Sequence, residues 1–405
     1  MVTRNGWLTG GGALLLLAVG RLTGSFELFL LGAGVAVLLL VAVLRTALAR
    51  LDLRVSRHVE PSRVHAGSPA RVELRLRNDG SRSTPVLRLR DAVTGTRGAT
   101  VLVSPLPSGG SGRAAYLLPT GRRGKLQVGP LDVIVGDAFG LTAAEVEGAG
   151  VTELIVYPRI DPIVALPAAS GHDPQATARH PNAIGRAGDD FYALRPYQVG
   201  DDLRRVHGPA TAHHDELMIR QHELPWQERT TVVLDVRSRA HVAESFELAV
   251  SAAASILDAC ANRGDQVRLI TTAGSDSGFD GGRHHLEACF LHLATVEPDQ
   301  SASLQRSLDR LGRGTSGGSL VLIVAALAST DLRRLSNLGS RFGKVVTVLI
   351  EPSSWDPDGI DQAAPPDVSN LVQVARDQSF LDGWNRLFGP GRAGGGPTTR
   401  ATVGS

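Results

Sequence analysis

Two long apolar runs open the chain, and the hydrophobic period changes after them. No residue from Gly6 to Gly20 or from Leu28 to Leu44 is charged. Each run is somewhat short of the roughly 20 residues that cross a bilayer, but Trp7 and Phe26 suit the interfaces and Arg21 and Arg45 can snorkel to water. The spacing predicts a two-helix membrane hairpin over residues 1–50, turning at Thr23-Gly24-Ser25. A cleaved signal peptide is the rival, with Ala18-Val19-Gly20 as its small-x-small site, but a second apolar run begins almost at once. Further on, Arg71-Val72-Glu73-Leu74-Arg75-Leu76-Arg77 alternates with period two, Asn78-Asp79-Gly80 has turn chemistry, and Leu87-Arg88-Leu89-Arg90 alternates again. Short strands are also expected at 114–118, 125–128, 131–135 and 153–157, which together read as a β-sandwich over residues 51–160.

From Thr230 the pattern becomes strand and helix in alternation. Thr231-Val232-Val233-Leu234 is a short apolar run suited to a strand buried on both faces. Phe246, Ala249, Val250, Ala253, Ile256, Leu257 and Cys260 then fall on one helical face. Strands at 266–271, 319–325 and 345–350 and helices at 284–293 and 331–341 continue the series, so residues 230–388 predict a doubly wound α/β domain. Residues 161–229 read as a linker and a central segment, and residues 389–405, mostly Gly, Pro, Thr, Ala and Arg, as a disordered tail. The expected fold is therefore multidomain: two transmembrane helices, a β-sandwich and an α/β doubly wound domain.

Composition changes this picture little. Lys plus Arg is 42 against Asp plus Glu at 40, a net of +2, so no bulk field calls for nucleic acid. The Arg-rich outer strand faces could meet lipid headgroups, though a solvated face is the plainer reading because Glu73 and Asp79 interrupt the charge. Arg4 precedes the first helix, and Arg45, Arg50, Arg54 and Arg57 follow the second, which places both flanks, and so the soluble domains, in the cytoplasm. Cys260 and Cys289 fall inside expected helices without zinc spacing and read as small core residues of a reducing compartment.

The segment from Asp189 to Glu223 concentrates charge and aromatic side chains in a chain that is only 4% aromatic and 20% charged. Read by itself, it is a connector whose aromatics tack it to a domain surface, or a segment that carries function. The run Phe191, Leu194-Arg195, Tyr197, Gly200-Asp201-Asp202, Arg204, Val206-His207 is similar to the central motif of the bacterial "domain of unknown function 58" family. Gly208 stands where that family usually has Trp, and His213 where it usually has Arg, whereas the strand-like Leu217-Met218-Ile219-Arg220 fits. Upstream, Arg123-Gly124, Gly129-Pro130 and Asp137-Ala138-Phe139-Gly140-Leu141 resemble a second family run in the expected order. The resemblance implies a membrane-anchored protein with a von Willebrand factor A-like domain, often associated with MoxR-type AAA+ ATPases, and the two-helix hairpin with its basic flanks gives the expected place as the inner (cytoplasmic) membrane, multi-pass. The resemblance implies no established chemistry. Phe191, Arg195, Tyr197, Gly200, Asp201, Asp202, Arg204 and His207 become the candidate connector or partner-binding residues.

Von Willebrand factor A domains that bind metal use D-x-S-x-S at the end of the first strand, because a hard cation needs oxygen ligands. Here the residues are Asp235-Val236-Arg237-Ser238-Arg239, with Arg in both serine positions, and Asp331 stands as a later carboxylate. Asp235 and Asp331 are thus candidates for a degenerate site, with Arg237 or Arg239 in the place of the cation, and no cofactor is expected. His207, His213, His214 and Asp215 form the other constellation able to hold a metal. No phosphate-binding Gly loop, nucleophile elbow, H-E-x-x-H or paired CxxC occurs. The expectation is a non-enzymatic adaptor or scaffold, held to lipid by its hairpin. A metal-dependent ligand-binding module is the alternative, and a metal-dependent hydrolase comes after it.

Overall fold

The computed structural model describes residues 2–48, 52–136, 139–167, 191–197, 206, 211–213, 216–222, 228–313, 317–351, 354–355 and 370–389. The chain divides into two compact units, Met1–Tyr157 and Pro158–Ser405. The first holds α1 (Arg4–Thr23), α2 (Phe26–Leu48) and strands β1 (Leu53–Glu60), β2 (Arg63–His65), β3 (Arg71–Asn78), β4 (Leu87–Val93), β5 (Ala99–Val103), β6 (Ser111–Leu117), β7 (Gly124–Gly136), β8 (Ala143–Ala149) and β9 (Thr152–Tyr157).

Helices α1 and α2 are long and apolar enough to cross a membrane. Leu14, Leu15, Phe26 and Leu30 stay exposed on them, apolar surface that water disfavours and lipid accepts. The two helices approach closely at glycines. A Cβ on Gly20 would lie 2.6 Å from the Phe29 nitrogen, and one on Gly32 2.9 Å from the Leu17 nitrogen, which is the small-residue packing of helices in lipid.

Nine strands follow in two sheets: β1-β3-β6, and β2-β9-β7-β4-β5 with β8 on β7. The alternation read from the sequence sets their faces. Val72, Leu74 and Leu76 of β3 and Leu87 and Leu89 of β4 point into one core, joined by Leu131, Val133 and Val135 of β7 and Leu154 and Val156 of β9. Each buried leucine there contributes about 2 kcal/mol. Residues 124–136, expected as two strands, form one strand that runs through Gly129-Pro130. Gly129 is required where it stands, since a Cβ would fall 2.5 Å from Arg57 Nη1. That guanidinium is buried. It donates to Asp91 Oδ1 at 2.8 Å, to Thr152 Oγ1 at 2.9 Å and to the Gly150 carbonyl, while Tyr116 Oη donates to Asp91 Oδ2 at 2.7 Å. Arg57 on β1 and Tyr116 on β6 belong to one sheet and Asp91 on β4 to the other, so the cluster clasps the two together.

The second unit holds β10 (Phe191–Pro196), β11 (Met218–His222), β12 (Arg229–Leu234), α3 (Ala243–Arg263), β13 (Gln266–Thr271), α4 (Arg283–Thr295), α5 (Leu304–Arg313), β14 (Ser319–Val324), α6 (Ser329–Gly339), β15 (Lys344–Ile350), β16 (Leu371–Val374) and α7 (Phe380–Phe388). Five strands form a parallel sheet in the order β13-β12-β14-β15-β16. Its central strands are largely apolar and buried because helices cover them, and Val233, Leu320 and Leu322 pack with Leu304, Leu308 and Leu311 of α5 and Leu335 and Leu338 of α6. Helix α3 packs against β12, β13 and β14.

One expectation changes here. Residues 161–166, read from composition as the opening of a linker, run together with 158–160 as an extended strap along α3. Ser251 Oγ donates to the Arg159 carbonyl at 2.8 Å, the Asp161 nitrogen donates to Ser255 Oγ at 2.9 Å, and Arg263 donates to the Leu166 carbonyl. Trp384 Nε1 of α7 donates to the Val164 carbonyl at 2.8 Å, and Leu166 is fully buried. Small serines let the strap approach, and their hydroxyls satisfy backbone groups that burial would otherwise leave unpaired.

Candidate functional site

Strand β12 ends at Leu234, and the next residue, Asp235, stands at the carboxyl end of the parallel sheet, where open α/β sheets usually hold their ligands. The backbone here is fixed from both sides. The Asp235 nitrogen donates to the Ile323 carbonyl of β14 at 2.9 Å, and the Thr272 nitrogen, just past β13, donates to the Leu234 carbonyl at 3.0 Å. The Asp235 carboxylate is wholly buried and lies against the Arg237 guanidinium. Nε of Arg237 donates to Oδ1 at 2.9 Å and to Oδ2 at 3.1 Å, and Nη2 donates to Oδ2 at 2.7 Å. Oδ1 also accepts from the Arg237 nitrogen at 3.1 Å and from Thr272 Oγ1 at 3.3 Å.

Arg237 spends its remaining reach on the next loop, donating from Nη2 to the Ala326 carbonyl at 2.7 Å. Burial works against its charge, but the Asp235 hydrogen bonds and the attraction of Asp235 and Asp331 outweigh it, so its pKa lies above the ordinary arginine value. Asp331 is buried in the first turn of α6, where Oδ2 accepts from the Ala328 nitrogen at 3.1 Å and Oδ1 has no hydrogen-bond partner. Beside this pair, His241 Nδ1 lies 3.4 Å from Ser245 Oγ and its buried Nε2 is unpartnered; burial lowers its pKa. Asp299 closes the rim through backbone bonds to Val236 and Ser238. Ser301 donates to its carboxylate and holds its pKa below the usual range.

Of the two arginines in the degenerate metal motif, Arg237 therefore takes Asp235. The donor set does not fit a hard cation, because a planar guanidinium already spans both carboxylate oxygens in a fork geometry. Among the described residues, no group of three or more His, Cys, Asp or Glu could hold a metal ion. His207, His214 and Asp215 lie outside the described residues, and His213 is exposed.

The central motif is only partly within view. Phe191 and Arg195 lie on β10, which pairs antiparallel with β11. Tyr197 follows, its nitrogen donating to the Leu217 carbonyl at 2.7 Å. Gly200, Asp201, Asp202, Arg204 and His207 lie outside the described residues.

A cleft of about 260 Å³ lies between β13 and α4 and is lined by Ser275, Asp276, Ser277, His285, Cys289 and His292 among others. His285 Nε2 lies 3.0 Å from the Val267 carbonyl, and His292 Nε2 lies 2.9 Å from Ser275 Oγ. These bonds account for the polar groups of the cleft as a folded hairpin-to-helix contact.

Residues 193–356 match the model of the family described as protein of unknown function DUF58. No curated protein matches the chain. Among solved structures, the CARDB domain of a Pyrococcus furiosus protein is 17% identical, with 26% of this chain and 93% of that one covered, at a TM-score of 0.22. The C-terminal domain of wzt is 8% identical, with 28% and 77% covered, at 0.23. The Pseudomonas fluorescens alkylpurine DNA glycosylase AlkC is 16% identical, with 29% and 37% covered, at 0.17. Likenesses this slight carry no argument about function.

Proposed function

We propose that this chain, a member of the DUF58 family through residues 193–356, is a membrane-anchored cytoplasmic adaptor that works with a MoxR-type AAA+ ATPase. The N-terminal hairpin holds it in the inner membrane, the two sheets of strands β1 to β9 form a β-sandwich, and the five-stranded unit is von Willebrand factor A-like. The observation that carries the reading is the closed end of the parallel sheet. Arg237 stands on Asp235 where a metal-dependent module needs free carboxylate oxygens, so the end of the sheet offers a fixed protein surface rather than an open ion site. A surface of this kind, with a quarter-exposed guanidinium held in place, suits a partner that brings carboxylates or carbonyls. Phe191, Arg195, Tyr197, Gly200, Asp201, Asp202, Arg204 and His207 extend it or hold it in register, and no catalytic role is assigned to them.

In-cell crosslinking of the tagged full-length protein, followed by mass spectrometry, tests the reading. Recovery of a AAA+ ATPase with the wild type and its loss with a still-folded Arg195→Glu variant is the expected result. Absence of any AAA+ protein from the specific captures sinks the adaptor reading.

A further inference from the structure

The turn between β7 and β8 is held to the open end of the N-terminal hairpin by bonds to both helices. The Thr3 nitrogen donates to the Leu141 carbonyl at 2.9 Å, and Thr3 Oγ1 donates to the Gly140 carbonyl at 2.6 Å while also capping α1 by accepting from the Gly6 nitrogen. On the other helix, Thr142 and Thr46 hydroxyls are 2.6 Å apart, and Thr142 Oγ1 donates to the Ala42 carbonyl at 3.4 Å. Leu141 and Thr142 are buried in this contact. Gly6 is needed for it, because a Cβ there would collide with the Leu141 carbonyl.

The depth of the turn follows from the helix lengths. The 20 residues of α1 at about 1.5 Å each make about 30 Å, the thickness of a bilayer's hydrocarbon core, so its first turn lies at one interface. Ala42 lies inside the apolar span Phe26–Leu44, so the turn does more than face the membrane: it reaches a backbone carbonyl within the span. Next to Gly140, Phe139 is 66% exposed, and Trp7, one helical turn into α1, is 74% exposed. Phe139 thus presents a largely exposed aromatic ring at the level of a membrane interface, where aromatic side chains gather.

We infer that the β7–β8 turn is a second membrane contact, with Phe139 inserted at the headgroup–acyl boundary beside Trp7. The inference rests on the hairpin spanning the bilayer. It adds that the strand-rich part of the chain touches lipid on its own account, which fixes its orientation on the membrane as well as its attachment.

Site-directed spin labelling of the full-length protein in lipid nanodiscs tests this, with Cys260 and Cys289 replaced by Ala and one label at a time at Leu15, Phe139 or Leu117. Leu15 lies mid-α1 and is exposed there. Leu117 is exposed at the far end of β6. It pairs with Arg71, which pairs with Glu60, the last of the eight residues of β1, about 25 Å from Leu53 at the hairpin end. Power saturation by oxygen and by a water-soluble nickel chelate gives the depth of each label. Position 139 is two-thirds exposed, so the label displaces no core packing.

The expected order is Leu15 deep in the hydrocarbon, position 139 at the boundary with its nickel accessibility several-fold below that of 117, and 117 in water. If 15 is deep and 139 is as nickel-accessible as 117, the inference is overturned while the hairpin reading stands. If 139 is shielded from oxygen and nickel alike, protein rather than lipid covers it, and the inference is again overturned. If 15 itself reports water, the hairpin reading falls and takes this one with it.

Discussion

Each unit buries an aspartate against an arginine, and the two pairs do different work. Arg57 and Asp91 are drawn from different sheets, are each about 1% exposed, and take Tyr116 as a third partner. Asp235 and Arg237 lie two residues apart at the end of one strand, and the arginine keeps 24% of its side chain in contact with solvent. The first pair joins elements that nothing local would bring together. The second joins almost nothing, apart from the reach of Arg237 to Ala326, but it decides what the carboxyl end of the sheet presents. Sequence separation and exposure thus distinguish a clasp from a surface, although the residue types are the same.

The strongest way to break the comparison is at the clasp. Asp91→Ala leaves the Arg57 charge buried and unpaired, and should cost about 3–5 kcal/mol, the usual cost of halving a buried pair. Hydrogen exchange of the full-length protein should show the loss across strands β1 to β9 and leave the parallel sheet protected. Asp235→Ala should cost less, about 2 kcal/mol, because the exposed side of Arg237 can turn to water. Equal losses in the two variants would remove the distinction drawn here.

Acidity should separate the two units in opposite directions, by at most about 1.4 kcal/mol per pH unit for each group. Burial lowers the pKa values of His241 and His292 from 6.5, so the unfolded chain binds more protons. Their contribution is whole above that value and is lost as pH falls below it. Asp91 is the reverse. Burial raises its pKa from 3.8 despite the hydrogen bond from Tyr116 and the attraction of Arg57, so its contribution is least at neutral pH and grows as pH falls through the raised value. Denaturant midpoints read unit by unit between neutral and mildly acid pH should therefore fall first in the parallel sheet. Smallest of all, Ser255→Ala strips the buried Asp161 nitrogen of its acceptor and should cost about 1 kcal/mol, visible as faster exchange at residues 159–166.

Where side chains alternate or run apolar, the fold was legible. Strands β3, β4, β12 and β14, helix α3 and the N-terminal hairpin all follow from period alone. Elsewhere the deciding partners are far away in sequence. Strand β1 carries Arg57 facing inward, which breaks its pattern unless Asp91, 34 residues on, is known to wait for it. The strap at 158–166 has no pattern because its backbone, rather than its side chains, makes the contacts. Helix α5 was readable and missed: Leu304, Leu308 and Leu311 keep the i, i+4, i+7 spacing of an amphipathic face. At the candidate site, the sequence set Arg237 and Arg239 beside the candidate carboxylates Asp235 and Asp331, but not which arginine would take which carboxylate. The orphaned oxygen of Asp331 and the buried Nε2 of His241 left no trace in the sequence, since both depend on packing between elements.

The Arg237 guanidinium occupies both carboxylate oxygens of Asp235, the atoms that a bound cation would need. The most direct measurement is the melting temperature of the full-length protein in nanodiscs with and without Mg²⁺ or Mn²⁺, for the wild type and for Asp235→Ala. No metal-dependent shift in either protein is the result expected. A rise in the wild type that Asp235→Ala abolishes would mean that Arg237 yields its place to an ion, and would contradict the account.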